Sequence, residues 1–207
     1  MSALPELYKE IAVCHKCEIS RLRTKAVPGE GPENAELMFI GEAPGWHEDQ
    51  QGRPFVGPAG KFLDDLLADI HIKRSDVYIT NIIKTRPPNN RDPMPIEIEN
   101  CKPWLDRQLE LIRPKMIVTL GRYSMARFFP GKSISSIHGT ATKKDGVLYF
   151  AMYHPAAALH QQSLRRAIEI DALKIPALLA EAKTVSEAKP AEPEPEKPVA
   201  KQLNLFG

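Results

Sequence analysis

The sequence predicts an α/β protein, a three-layer αβα sandwich around a central, mainly parallel four-stranded sheet. Three observations carry that expectation. Short apolar runs edged by turn formers recur at residues 37–40, 77–80, 116–121 and 147–153, as buried strands do. Helical stretches fall between them, with Phe62, Leu63, Leu66, Leu67 and Ile70 on one stripe and Pro95 placed to open a second helix. Strand and helix therefore alternate, which is the pattern of a mainly parallel sheet covered on both faces.

Composition agrees with one domain and an appendage. At 207 residues, 43% apolar and 26% charged, the chain suits one sizeable core. No window approaches the ~18 uninterrupted apolar residues of a spanning helix, and Met1-Ser2-Ala3-Leu4-Pro5-Glu6 is no export signal. A cytoplasmic protein without membrane contact is expected. Net charge is +2, which permits a local nucleic-acid patch without arguing for one. Three cysteines in such a chain point away from a disulfide framework.

In chain order, residues 5–13 suit a short helix leading into Cys14-His15-Lys16-Cys17. Two thiolates at this spacing can grip a metal or one side of a cluster, and the N-terminal position outside any βαβ unit disfavours a thioredoxin-like motif. Two ordinary thiols are the alternative. The strand Leu37-Met38-Phe39-Ile40 then runs into Gly41-Glu42-Ala43-Pro44-Gly45, which places Glu42 at the strand's carboxyl end, where open α/β sheets gather ligands. Residues 46–60 read as a long irregular loop, a type that tends to be functional. That loop holds Phe55 between prolines and glycines, as a ring face for a ligand or as a buried anchor.

The second strand delivers Asn81 at or near its end. After it, Lys84-Thr85-Arg86-Pro87-Pro88-Asn89-Asn90-Arg91-Asp92-Pro93 is basic and irregular, suited to phosphate contact or to plain solvation. The helix from Pro95 towards Arg113 carries Cys101 and should be interrupted or kinked at Pro103. A third strand at 116–121 precedes a short helix. The fourth, at 147–153, delivers His154-Pro155-Ala156-Ala157-Ala158-Leu159. Helical spacing resumes over about 163–183, with a kink expected at Pro176. Residues 1–182 form the predicted domain. Residues 183–201, rich in Ala, Glu, Lys and Pro, read as a disordered linker. Gln202-Leu203-Asn204-Leu205-Phe206 restores three large apolar side chains, the form of a short docking peptide.

Three strand ends thus present Glu42, Asn81 and His154, with Phe55 beside them. On one sheet edge they would surround a planar heterocycle with amide edges. Phe55 would stack on it, Asn81 would read a donor and an acceptor, and His154 would donate to an oxygen gaining charge.

At these residues the sequence resembles the family 4 uracil-DNA glycosylases, the iron–sulfur members of their superfamily. The resemblance rests on Cys14 and Cys17, Gly41-Glu42-Ala43-Pro44-Gly45, Gly52-Arg53-Pro54-Phe55-Val56-Gly57, Thr80-Asn81, Arg86-Pro87-Pro88, Cys101 and His154-Pro155, and spans roughly residues 10–180. It implies the uracil-DNA glycosylase-like fold, uracil-containing DNA as substrate, and hydrolysis of the N-glycosidic bond to leave an abasic site. By the same resemblance Phe55 stacks on flipped uracil, Asn81 binds the N3/O4 edge and rejects cytosine, and His154 stabilises O2. Glu42 positions the attacking water with help from the main chain of Gly41 and Ala43. Glu48 helps exclude the thymine methyl. Leu159 is a wedge in the minor groove, with Arg86, Arg91 and Arg165 or Arg166 near phosphates. Wider relatives carry Asp where this chain has Ala43, so the reaction leans on leaving-group stabilisation.

The family holds a 4Fe-4S cluster on four cysteines. Here Cys14, Cys17 and Cys101 match and the remaining position is Thr85, a hard, weakly acidic donor where iron–sulfur clusters take thiolate. Three outcomes stay open: a cluster with one iron held by hydroxide, water or an unusual side chain, a labile three-iron form, or no cluster. An easily lost cluster is the favoured one. Residues 202–206 resemble the sliding-clamp-binding pentapeptide of bacteria, which makes a replication clamp the expected partner; a monomer is expected otherwise. The competing readings are a non-hydrolytic or covalently trapping uracil-DNA-binding relative and a non-enzymatic iron–sulfur DNA module. A P-loop hydrolase is disfavoured because no lysine or Ser/Thr follows the Gly41–Gly45 turn.

Overall fold

The computed structural model describes residues 3–187. Most of the expected linker and all of residues 202–206 lie outside them. In chain order the elements are α1 (Ala3–Ala12), β1 (Leu37–Gly41), α2 (Trp46–Gln51), α3 (Pro58–Asp69), β2 (Tyr78–Asn81), α4 (Pro95–Ile112), β3 (Met116–Leu120), α5 (Arg122–Phe128), α6 (Ile134–Ile137), β4 (Ala141–Lys144), β5 (Val147–Met152), α7 (Pro155–Ala158), α8 (Gln162–Ala172) and α9 (Ile175–Glu187).

The sheet has the order β2-β1-β3-β5-β4. β1 pairs in parallel with β2 and β3, β3 with β5, and only β4 runs antiparallel. Alternate residues of β1 face opposite layers, as the period of two requires. Leu37 and Phe39 pack with Phe62, Leu63, Leu67 and Ile168 beneath α3, α8 and α9. Met38 and Ile40 pack with Leu7, Ile11, Leu105 and Ile112 beneath α1 and α4. Each such fully buried side chain contributes about 1.5–3 kcal/mol, so the two apolar layers fix the strand ends on which the chemistry sits. The chain leaves β1 for β2 on one side and returns to β3 on the other, which opens a crevice at the carboxyl ends of the strands.

Several expectations change. The sheet has a fifth strand, β4, whose residues are all exposed, so no apolar run marks it. The turn Asp145-Gly146, with φ of 51° and 80°, is the hairpin signal that does. Residues 46–51 are helical: Gly45 is the N-cap of α2, the Glu48 carboxylate accepts from its amide at 3.1 Å, and Gly52 closes the helix with φ 75°. α4 runs through Pro103 as a single helix. Pro176 lies in the first turn of α9, after the break that follows α8. α9 continues to Glu187, past the boundary expected at residue 182.

Candidate active site

Glu42, Glu48, Phe55, Asn81, Arg91 and His154 line one pocket of about 350 Å³ at the carboxyl edge of the sheet. β1 supplies Glu42 one residue past its end, β2 supplies Asn81 as its last residue, and β5 supplies His154 two residues on. Ala43, Gly45 and Ala59 complete much of the wall. Gly41 is what allows this crowding. A Cβ there would lie 2.4 Å from Asn81 Oδ1 and 2.6 Å from a Phe55 ring carbon. The Phe55 and His154 rings are near parallel, at 25° and 5.5 Å between centroids.

Each polar group is prepared differently. Asn81 is 1% exposed, and its Oδ1 has no hydrogen-bond partner among the described residues, a costly arrangement for a buried acceptor unless something else binds it. His154 caps α7, its Nδ1 accepting the Ala156 N–H at 3.1 Å. Burial pushes its imidazole down to about 4, against a smaller opposing pull from Glu48. The ring is therefore neutral at physiological pH, with its proton on Nε2 as a fixed donor. Burial pushes the Glu42 carboxyl up to about 7; Asp92 adds to that and Arg122 opposes it. Asp92 and Arg122 pair with each other. No local pattern marks either as a site residue: Asp92 falls within the basic run 84–93, and Arg122 opens α5 two residues past the end of β3.

The other expected residues have definite places. Glu48 is wholly engaged, accepting from Gly45, Val56 and Gly57 amides at 3.1, 2.8 and 2.8 Å. Arg91 makes two bonds to the buried Glu97, at 2.9 and 2.6 Å. Arg86 donates to Asn90 Oδ1 at 2.6 Å. Arg165 bonds Glu169 at 2.9 Å and lies over the Phe62 ring. Leu159, 45% exposed, projects just after α7. Lys84, the first cation of the basic run, is buried in the core, with its Nζ 2.7 Å from Thr80 Oγ1, Asn81 O and Gln108 Oε1. It thus braces the end of β2 and is unavailable to a phosphate.

A second, much tighter cavity shares no residue with that pocket. It is lined by Cys14, Cys17 and Cys101 with Thr85, Arg23 and Trp104. Burial raises the Cys17 and Cys101 thiols above their ordinary values. Trp104 Nε1–H is buried without a partner among the described residues, and Thr85 Oγ1 accepts from Arg23 Nη1 at 3.0 Å. Among the described residues no three side chains converge as ligands of a single ion. Three soft thiols, an orphaned donor and the cations Lys16 and Arg23 line this cavity, donor chemistry that suits an anionic, sulfur-ligated group, while the space between them is about 10 Å³.

The family model for the uracil DNA glycosylase superfamily matches residues 28–174. A type-4 uracil-DNA glycosylase of Sulfurisphaera tokodaii is 47% identical over 185 residues, covering 84% of each chain. One from Archaeoglobus fulgidus is 47% identical over 184 residues, covering 84% of this chain and 92% of its own. A third, from Saccharolobus solfataricus, is 46% identical over 185 residues, covering 84% and 86%.

Proposed function

The chain belongs to the uracil-DNA glycosylase superfamily, and on that premise we propose how its pocket excises uracil from DNA. The activity is hydrolysis of the N-glycosidic bond of deoxyuridine, a DNA-repair reaction that leaves an abasic site. Asn81 Oδ1, buried beside an aromatic ring and without a partner among the described residues, is the observation that carries the reading. Uracil offers N3–H to that oxygen and O4 to the amide N–H of the same side chain. Cytosine, whose donor and acceptor are exchanged at this edge, leaves both unmatched. A pocket built around such a bond rejects a base that cannot make it by up to about 10⁴-fold.

Duplex DNA must first surrender the base, and flipping into a pocket of this size accomplishes that. Leu159 enters the space vacated in the stack. Phe55 then stacks on the ring, while Glu48, immobilised by three amides, closes off room for a C5 methyl. As the glycosidic bond breaks, negative charge develops on O2, and His154 Nε2–H donates to it. A neutral, preorganised donor suits this task, since it stabilises the leaving anion without transferring a proton. Glu42 holds the water that meets the sugar cation. Ala43 supplies no second carboxylate, so stabilisation of the leaving group dominates. Arg86, Arg91 and Arg165 stand by the phosphates.

Cys14, Cys17 and Cys101 would hold an iron–sulfur cluster, with Thr85 and Trp104 lining the same cavity. When bound, the cluster supplies a structural tie between the N-terminal segment and α4, away from the pocket. Residues 202–206 dock on a replication clamp.

A duplex oligonucleotide with a single uracil tests the reading. Free uracil should accumulate well beyond one equivalent of protein, with alkali-labile sites in step. Release that stops at one equivalent, or an adduct that survives SDS, identifies the covalently trapping relative instead.

A further inference from the structure

Phe55 has φ 51°, a left-handed conformation that non-glycine residues seldom adopt. Such an outlier persists when its surroundings over-determine it. Here they do so on both sides. Arg74 Nη2 donates to Pro54 O at 2.7 Å and Nη1 to Phe55 O at 3.2 Å. Glu48 Oε1 accepts from the next two amides, Val56 N and Gly57 N, at 2.8 Å each. A cation therefore holds two successive carbonyls and an anion holds the two N–H groups that follow. Rotating the peptides would turn carbonyls towards the carboxylate, so the pair selects one loop conformation.

Both jaws are themselves fixed. Arg74 is ion-paired to Asp64 at 2.8 Å and lies 3.7 Å from Glu30, whose carboxylate also grips Arg53 at 2.7 Å. Glu30 exchanges backbone hydrogen bonds with Ile79 of β2. Arg74 itself stands in the turn that leads into β2, the strand that ends in Asn81. At the other jaw, Glu48 Oε2 binds Gly45 N beside Glu42. Gly60 lets α3 close underneath, since a Cβ there would fall 2.0 Å from Phe55 O.

We propose that Arg74 and Glu48 clamp residues 54–57 and so hold the Phe55 ring in register with Asn81, making Arg74 a positioning residue for uracil recognition. The proposal rests on the reading that Phe55 stacks on the base. No part of Arg74 reaches the pocket, and its guanidinium acts through two carbonyls. A lysine would keep the charge and the carboxylate partners but lacks the planar fork that spans both oxygens.

The test is a double-mutant cycle with Phe55→Ala, Arg74→Met and the combined variant, plus Arg74→Lys, which preserves the ion pairs if Arg74→Met unfolds. Two quantities are read: single-turnover uracil release from DNA and inhibition by free uracil. Arg74→Met should lose about 10- to 100-fold in release, the scale of a misplacement near 1 Å, and should weaken uracil inhibition. Arg74→Lys should fall between it and the parent. In the Phe55→Ala background Arg74→Met should add little, because residues acting as one unit do not add. Losses that multiply, or Arg74→Lys and Arg74→Met variants that inhibit and turn over like the parent, overturn the clamp. Phe55→Ala with unchanged uracil inhibition overturns the stacking reading instead.

Discussion

Glu42 and His154 are shifted by the same cause to opposite effect. Burial disfavours charge on either, so the imidazole becomes a neutral donor and the carboxyl titrates near neutrality, at about 7. If ionised Glu42 positions the water, excision under single-turnover conditions should fall about tenfold per pH unit below 7. The limb should vanish in Glu42→Gln, leaving a lower, flat rate. The folded-state value lies above the unfolded one, so the fold holds this proton more tightly and loses stability as pH rises from about 4.5 to about 7. Glu42→Gln should therefore melt higher than the parent at pH 8 and close to it at pH 4.5. Differential scanning calorimetry at the two pH values reads this, and a Glu42→Gln variant less stable at pH 8 contradicts it.

At the scale of elements, strand ends place the polar groups of the pocket, and the loop 54–57 lies between Arg74 and Glu48. The residue types at the strand ends were legible because apolar runs stop abruptly at Gly41-Glu42, Asn81 and His154. The helix α2 was less so: six residues with five polar side chains give no stripe, and only the Gly45–Glu48 cap marks it. The cysteine cavity joins three segments, the end of α1, the loop after β2 and α4. Since Thr85 offers an already engaged hydroxyl there, a cluster should be held by three thiolates and lost readily. Thr85→Cys should keep its ~400 nm absorbance longer under oxygen and chelator. Identical bleaching of the two proteins rules this out.

For the whole molecule, the order β2-β1-β3-β5-β4 gathers residues 42, 81 and 154 along one edge and leaves the cysteine cavity beneath the layer of α1 and α4. The proposed clamp peptide adds a second length scale. The 14 residues between the end of α9 and this peptide allow a reach of at most ~43 Å at ~3.1 Å each, and such a tether would raise the local concentration of enzyme near a clamp on DNA. Leu205→Ala with Phe206→Ala should abolish co-elution with the clamp while single-turnover excision on free oligonucleotides stays at the parent rate. Co-elution that persists refutes the docking peptide.

The sequence by itself determined the layered α/β class, the residue types at three strand ends, the aromatic loop and the thiol set, because these follow from local periodicity and from side-chain chemistry that is the same in any context. Only the tertiary structure decided the protonation of Glu42 and His154, the burial of Lys84, the pairing of Arg91 with Glu97 and the grip of Arg74 on Phe55. Each of these depends on solvent exclusion or on partners at most tens of residues apart yet brought within hydrogen-bond distance by the fold, and a linear pattern holds no record of that proximity.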